Sequence, residues 1–134
     1  MSATDATRPG ISGRDGSYTA FFGTGEVVFR LDIGALRRLE DRRKAGIFAI
    51  HDRMVRAAAY VDDVVEILRQ GLIGGGMTPA EADSLVRHYG PAGSIFGALI
   101  DNYGLALRIL DAAMVIPEGE TLRGKAEAGA SQPG

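Results

Sequence analysis

Apolar residues recur along this chain with two periods, alternating from Tyr18 to Leu31 and then returning every three or four positions. In the first block Tyr18, Ala20 and Phe22 alternate with Thr19 and Phe21, and Val27, Phe29 and Leu31 alternate with Val28 and Arg30. Period two is the signature of strands with one buried face. Gly23-Thr24-Gly25 between them reads as a three-residue loop, so the block predicts a β-hairpin. Two strands are marginal alone in water, so the hairpin must lie on helices or pair with a neighbour. Asp32 is placed as the N-cap of the next helix, with Leu31 and Leu36 spaced for a hydrophobic staple. That helix, Ile33 to about Ala45, is expected to bury Ile33, Leu36 and Leu39 and to expose Arg37, Arg38, Arg42, Arg43 and Lys44. Glu40 with Lys44 and Arg37 with Asp41 are i,i+4 pairs, and Gly46 is read as its stop. Ile47, Ile50, Met54, Ala57 and Ala58 then form one face of a further helix. Whether residues 47–72 make one helix or two is left open by the pattern.

The chain is organised around residues 61–89, which predict two helices folded back on each other across three glycines. Val61, Val64, Val65, Leu68 and Leu72 form the stripe of the first, and Ala82, Leu85, Val86 and Tyr89 that of the second. Asp62, Asp63 and Glu66 lie in the first turns, where the positive end of the helix dipole favours them. Gly74, Gly75 and Gly76 are expected to stop the helix and turn the chain, a conformational role, because glycine enters left-handed backbone freely. Thr78, Pro79 and Glu81 then supply an N-cap, a first helical residue and a capping-box acid. After Gly90-Pro91, a last helix from Ser94 to about Met114 is predicted with Ile95, Leu99, Tyr103, Leu107, Leu110 and Met114 as its main stripe. The fold class is therefore mainly α (α+β), a bundle of four to five helices with an N-terminal β-hairpin. Its boundaries are a disordered arm over 1–15, a single domain over 16–116 and a disordered tail over 117–134.

Composition narrows the chemistry. The 134 residues suit one domain; 46% are apolar, none is Trp and aromatics are 7%, so the core must be mostly aliphatic. The absence of cysteine excludes disulfides, thiolate metal sites and cysteine nucleophiles. No apolar run approaches the length of a membrane span, and the first ten residues lack the blocks of a signal peptide. A net charge of −2 gives no global field toward DNA or anionic lipid.

No constellation for catalysis stands out. Ser84 and His88 share a helix face but have no orienting carboxylate, and His51 beside Asp52 lacks a metal-ligand partner spacing. Neither cofactor nor metal is expected. Gly74 to Gly76 lack the lysine and spacing of a phosphate loop. The cluster Arg37, Arg38, Arg42, Arg43 and Lys44, with Arg53 and Arg56, reads as a salt-laced solvent face, since Glu40, Asp41 and Asp52 lie within it. Apolar residues in excess of one small core mark Phe21, Val28, Ile47, Ile50 and Met54 as candidate partner-binding positions.

The run GLIGGGMTPAEADSLV, Gly71 to Val86, with FRLDIGALRRLE, Phe29 to Glu40, resembles the gene transfer agent family of small phage-tail proteins. The likeness covers roughly the middle two-thirds of the chain. It implies a non-enzymatic tail assembly chaperone that binds tape-measure and tail-tube proteins in the bacterial cytoplasm, shielding apolar helices of the tape measure until tube subunits enclose it. Two alternatives remain: a structural tail-tube subunit whose hairpins pair edge to edge in a homo-oligomeric ring, and a helix-turn-helix regulator binding DNA.

Overall fold

The computed structural model describes residues 10–91 and 98–114. Three strands, β1 (Ile11–Ser12), β2 (Ser17–Phe22) and β3 (Gly25–Arg30), form an antiparallel sheet in that order. Five helices follow: α1 (Ile33–Arg43), α2 (Ile47–Val55), α3 (Val61–Gly74), α4 (Pro79–Tyr89) and α5 (Ala98–Met114). The protein is thus a mainly helical α+β domain. β1 pairs Ile11 with Thr19, placing two residues of the expected arm in the sheet; residues 1–9 and the expected tail lie outside the described residues.

Period-two alternation sets the sheet's inner face. Tyr18, Ala20 and Phe22 on β2 and Phe29 on β3 are buried, with Leu31 just beyond. The hairpin turn is shorter than expected, because Phe22 pairs with Gly25 and only Gly23 and Thr24 remain between the strands. Gly23, at φ +79°, takes the left-handed position such a two-residue turn requires. Phe22 meets Phe29 and Tyr89 edge to face at centroid separations of 5.8 and 6.5 Å, which ties the hairpin to α4.

Residues 47–72 form two helices. α2 stops at Val55, Ala57 turns left-handed at φ 58°, and α3 starts at Val61. α1, α4, α5 and β3 all pack on α3, which buries Val64, Ile67, Leu68, Gly71 and Leu72. The buried stripe is displaced from the expected one, with Val61 exposed and Ile67 enclosed, because neighbours press on α3 from several sides. In α5 the inward residues are Asn102, Leu105, Ala106, Ile109 and Leu110, and Leu99 of the expected stripe faces outward. Residues 94–97 of that expected helix lie outside the described residues.

Several expectations for α1 are corrected. Its buried side is Ala35 and Leu39; Leu36 is half-buried and Ile33 is exposed, since the inward side of the helix runs through positions 35 and 39 and leaves Ile33 facing outward. Lys44 at φ 55° is its left-handed C-cap, and Gly46 is the N-cap of α2. Glu40 does not reach Lys44. Its Oε2 accepts the Ile47 amide at 2.8 Å, supplying the side-chain cap that Gly46 lacks. Asp32 caps α1 by accepting the Ala35 amide at 2.9 Å. At α4, Thr78 Oγ1 accepts the Glu81 amide and Glu81 Oε1 accepts the Thr78 amide, at 3.1 and 3.0 Å. Thr78→Ala should cost about 1 kcal/mol in urea unfolding, the usual worth of an N-cap oxygen.

Gly74 and Gly75 have a role beyond chain reversal. A Cβ on Gly74 would overlap the carbonyl oxygen of Arg30, and one on Gly75 that of Val28. Val28 and Arg30 are two apart, so both carbonyls leave β3 on one side, where the end of α3 lies against them. Gly75 has an ordinary right-handed backbone (φ −83°, ψ −3°), and only Gly76, at φ +121°, needs glycine for its conformation.

Candidate functional site

The basic cluster of α1 and α2 is divided by the fold into paired and unpaired cations. Asp63, fully buried at the start of α3, takes two of them: its Oδ1 accepts Arg43 Nε at 2.7 Å and an Arg53 Nη at 2.8 Å. Its Oδ2 accepts the Tyr60 amide at 2.8 Å. Burial pushes this carboxyl up, but the hydrogen bonds from Arg43, the Tyr60 amide and Arg53 outweigh it and hold the group below the ordinary carboxylate range. The Arg53 guanidinium also lies 5.5 Å from the centre of the Tyr60 ring. Asp63 is the ionic pin that fastens α1 and α2 to α3.

Arg56 pairs with Asp52 on the surface of α2, and Arg42 with Glu66 across α1 and α3 at 3.4 Å. The expected Arg37–Asp41 pair is absent from the ion pairs among the described residues. Arg38 bonds to a neutral group, its Nε donating to Gln70 Oε1 at 2.9 Å. Gln70 is only 1% exposed and is oriented in turn by Glu66, whose Oε1 accepts its amide nitrogen at 3.4 Å. Arg37, Arg38, Asp41 and Arg42 of α1, Arg69, Gln70 and Ile73 of α3, and Pro79 of α4 enclose an open cleft of about 550 Å³.

The apolar candidates separate by depth. Ile50 and Met54, at 0% and 1% exposure, are core residues, and this corrects their reading as partner-binding surface. They point inward because α5 packs on that side of α2. Ile47 and Phe21 are half-buried. Val28 is exposed on the outer sheet face, where the pairing of Ile11 with Thr19 and Thr19 with Val28 puts it in line with exposed Ile11. The larger exposed groups were missed: Phe48 at 77% and Val55 at 59% lie on the outer side of α2, and Leu99 and Ile100 on the first turn of α5. For α2 a signal existed. Phe48, Asp52 and Val55 are spaced i, i+4, i+7, a second stripe that is two-thirds apolar, opposite Ile50 and Met54.

Reaction chemistry has no built centre among the described residues. His88 Nδ1 lies 2.8 Å from the backbone carbonyl of Ser84, so the ring is engaged with main chain and not with the hydroxyl. His51 Nε2 contacts Asp111 Oδ1 at 2.8 Å, linking α2 to α5. No group of three or more potential metal ligands occurs among the described residues, and no described helix is long and apolar enough to cross a membrane.

A protein-family model described as "Phage tail tube protein, GTA-gp10", whose short label abbreviates tail assembly chaperone, matches residues 15–115. No curated protein and no solved structure matches the chain.

Proposed function

The chain belongs to the GTA-gp10 phage tail family, and from that premise we propose that it is a tail assembly chaperone binding the tape-measure and tail-tube proteins in the cytoplasm of the producing bacterium. The observation that carries this reading is the outer side of α2, where Phe48 and Val55 stand in solvent on a helix whose opposite side is already committed to the core. Such a surface suits the apolar face of an amphipathic helix from a partner chain. The outer sheet face with Val28 offers a second apolar contact. A chaperone of this kind needs no reacting groups, only a stable domain with unpaired apolar side chains.

The sheet also favours a chaperone over a ring-forming subunit. Edge-to-edge addition of another copy needs a row of free backbone groups on an outer strand. Here Gly74 and Gly75, at the C-terminal end of α3, crowd the carbonyls of Arg30 and Val28, and the opposite outer strand is two residues long. Purified protein is therefore expected as monomers or small exchanging oligomers on sizing columns; stable rings or tubes would decide for the subunit. Co-expression with the tape-measure and tail-tube proteins should give co-purifying complexes. Phe48→Asp should abolish that association while changing unfolding free energy by no more than about 0.5 kcal/mol, as expected for an exposed site. Failure of the wild-type protein to retain either partner would remove the chaperone reading.

A further inference from the structure

The cleft between α1, α3 and the start of α4 contains a cation prepared for a ligand that the fold itself does not supply. Arg38 is held through Nε by Gln70, a buried neutral amide that Glu66 orients. Both Nη groups of Arg38 have no ion-pair partner among the described residues, and neither has Arg37. An arginine anchored at Nε by a neutral acceptor keeps its full charge and has little rotamer freedom left to lose. Its two-pronged end then matches a carboxylate. The other lining arginines are engaged elsewhere, Arg42 with Glu66 and Arg69 with Asp83 and Glu66, so Arg37 and Arg38 provide the unspent charge against Asp41, the one acid in the cleft lining. Ile73 and Pro79 add apolar wall beside them.

We propose that this cleft receives an acidic amphipathic helical segment of a protein partner, its carboxylates seated on Arg37 and Arg38 and its apolar side on Ile73 and Pro79. The choice of a protein segment over a nucleic acid follows from the surroundings. Asp41 lines the cleft and Glu66 and Asp83 sit on its paired arginines, so a continuous line of phosphates would meet these acids, whereas discrete carboxylates can fall between them. The source of the segment, a tail protein held during assembly, rests on the chaperone reading; the chemistry of the cleft does not.

The test is a fluorescence anisotropy titration with a labelled helical peptide of Glu, Ala and Leu, beside its Gln-for-Glu twin and a short DNA duplex. The acidic peptide should bind, more weakly as salt rises, and neither the twin nor the duplex should match it. Arg37→Gln with Arg38→Gln should lower affinity by at least about tenfold, the worth of even one of the two charged hydrogen-bonding groups removed. Arg38→Lys should lose part of it, because an ammonium keeps the charge but lacks the planar group that Gln70 can hold at one nitrogen while two others face a carboxylate. Arg56→Gln, outside the cleft, should bind as wild type. No binding of the acidic peptide, tighter binding of the duplex, an unchanged double variant, or an equal loss in Arg56→Gln would each overturn the proposal. The two readings fail separately: wild-type protein that retains no tail protein on co-expression removes the chaperone, and the peptide titration still judges the cleft.

Discussion

Gly74→Ala and Gly75→Ala are each expected to destabilise the protein by at least about 3 kcal/mol, at the severe end of overpacking because the obstacle is backbone. For a domain of this size that means a fall in Tm of more than about 10 °C. Helix propensity predicts the opposite sign at Gly74, the last residue of α3, where alanine would gain about 1 kcal/mol if only local conformation mattered. The β3 carbonyls decide the outcome. A new methyl at either site overlaps main-chain oxygen of Arg30 or Val28, and a strand already paired to β2 along its other side cannot step away cheaply. Gly76→Ala separates this effect from backbone strain. Its Cβ would enter open space but at φ +121°, so it should cost only the strain of that backbone, about 1–3 kcal/mol. Thermal unfolding of the three variants ranks them. If Gly74→Ala proves neutral or stabilising, the close seating of α3 on β3 is wrong.

Asp63→Asn should cost about 3–5 kcal/mol, the usual penalty for removing one side of a buried ion pair. Two guanidinium groups would be left facing a neutral amide, with Arg53 Nε already lacking a hydrogen-bond partner among the buried side-chain atoms described. The pH dependence follows from the direction of the carboxyl's shift. Its folded-state pKa is lowered, so the stability it contributes is complete above the unfolded value, near 3.9, and is lost as pH falls through the folded one. Wild-type unfolding free energy should therefore be insensitive to this group above about pH 5 and should decline below about pH 4, a decline that Asp63→Asn reduces. Urea unfolding from pH 7 down to pH 3 provides both curves. Equal slopes in the acid range would show that Asp63 is not the pin.

Legibility in the sequence tracks the distance between partners along the chain. Asp32 with Ala35, Thr78 with Glu81 and the alternation from Tyr18 to Leu31 were readable because each motif closes within a few residues. Asp63 looked like a helix-start acid because that role is local, whereas the arginines that claim it are 20 and 10 positions away. Arg38 and Gln70, 32 apart, gave no pattern at all. Ile50 and Met54 were misplaced for a related reason: a stripe shows that one side of a helix is apolar, and only the neighbour, here α5, shows whether that side is covered.

The β2–β3 hairpin, the N-caps Asp32 and Thr78 and the aliphatic character of the core were determined by the sequence itself, through hydrogen bonds and periodicities that act over one or two turns. Tertiary structure decided why Gly74 and Gly75 must lack a side chain, which acid holds α1 and α2 on α3, and which cations and apolar groups stay open to a partner. Those depend on which surfaces approach to within a few ångströms, and in a close-packed interior that is settled by all the elements together.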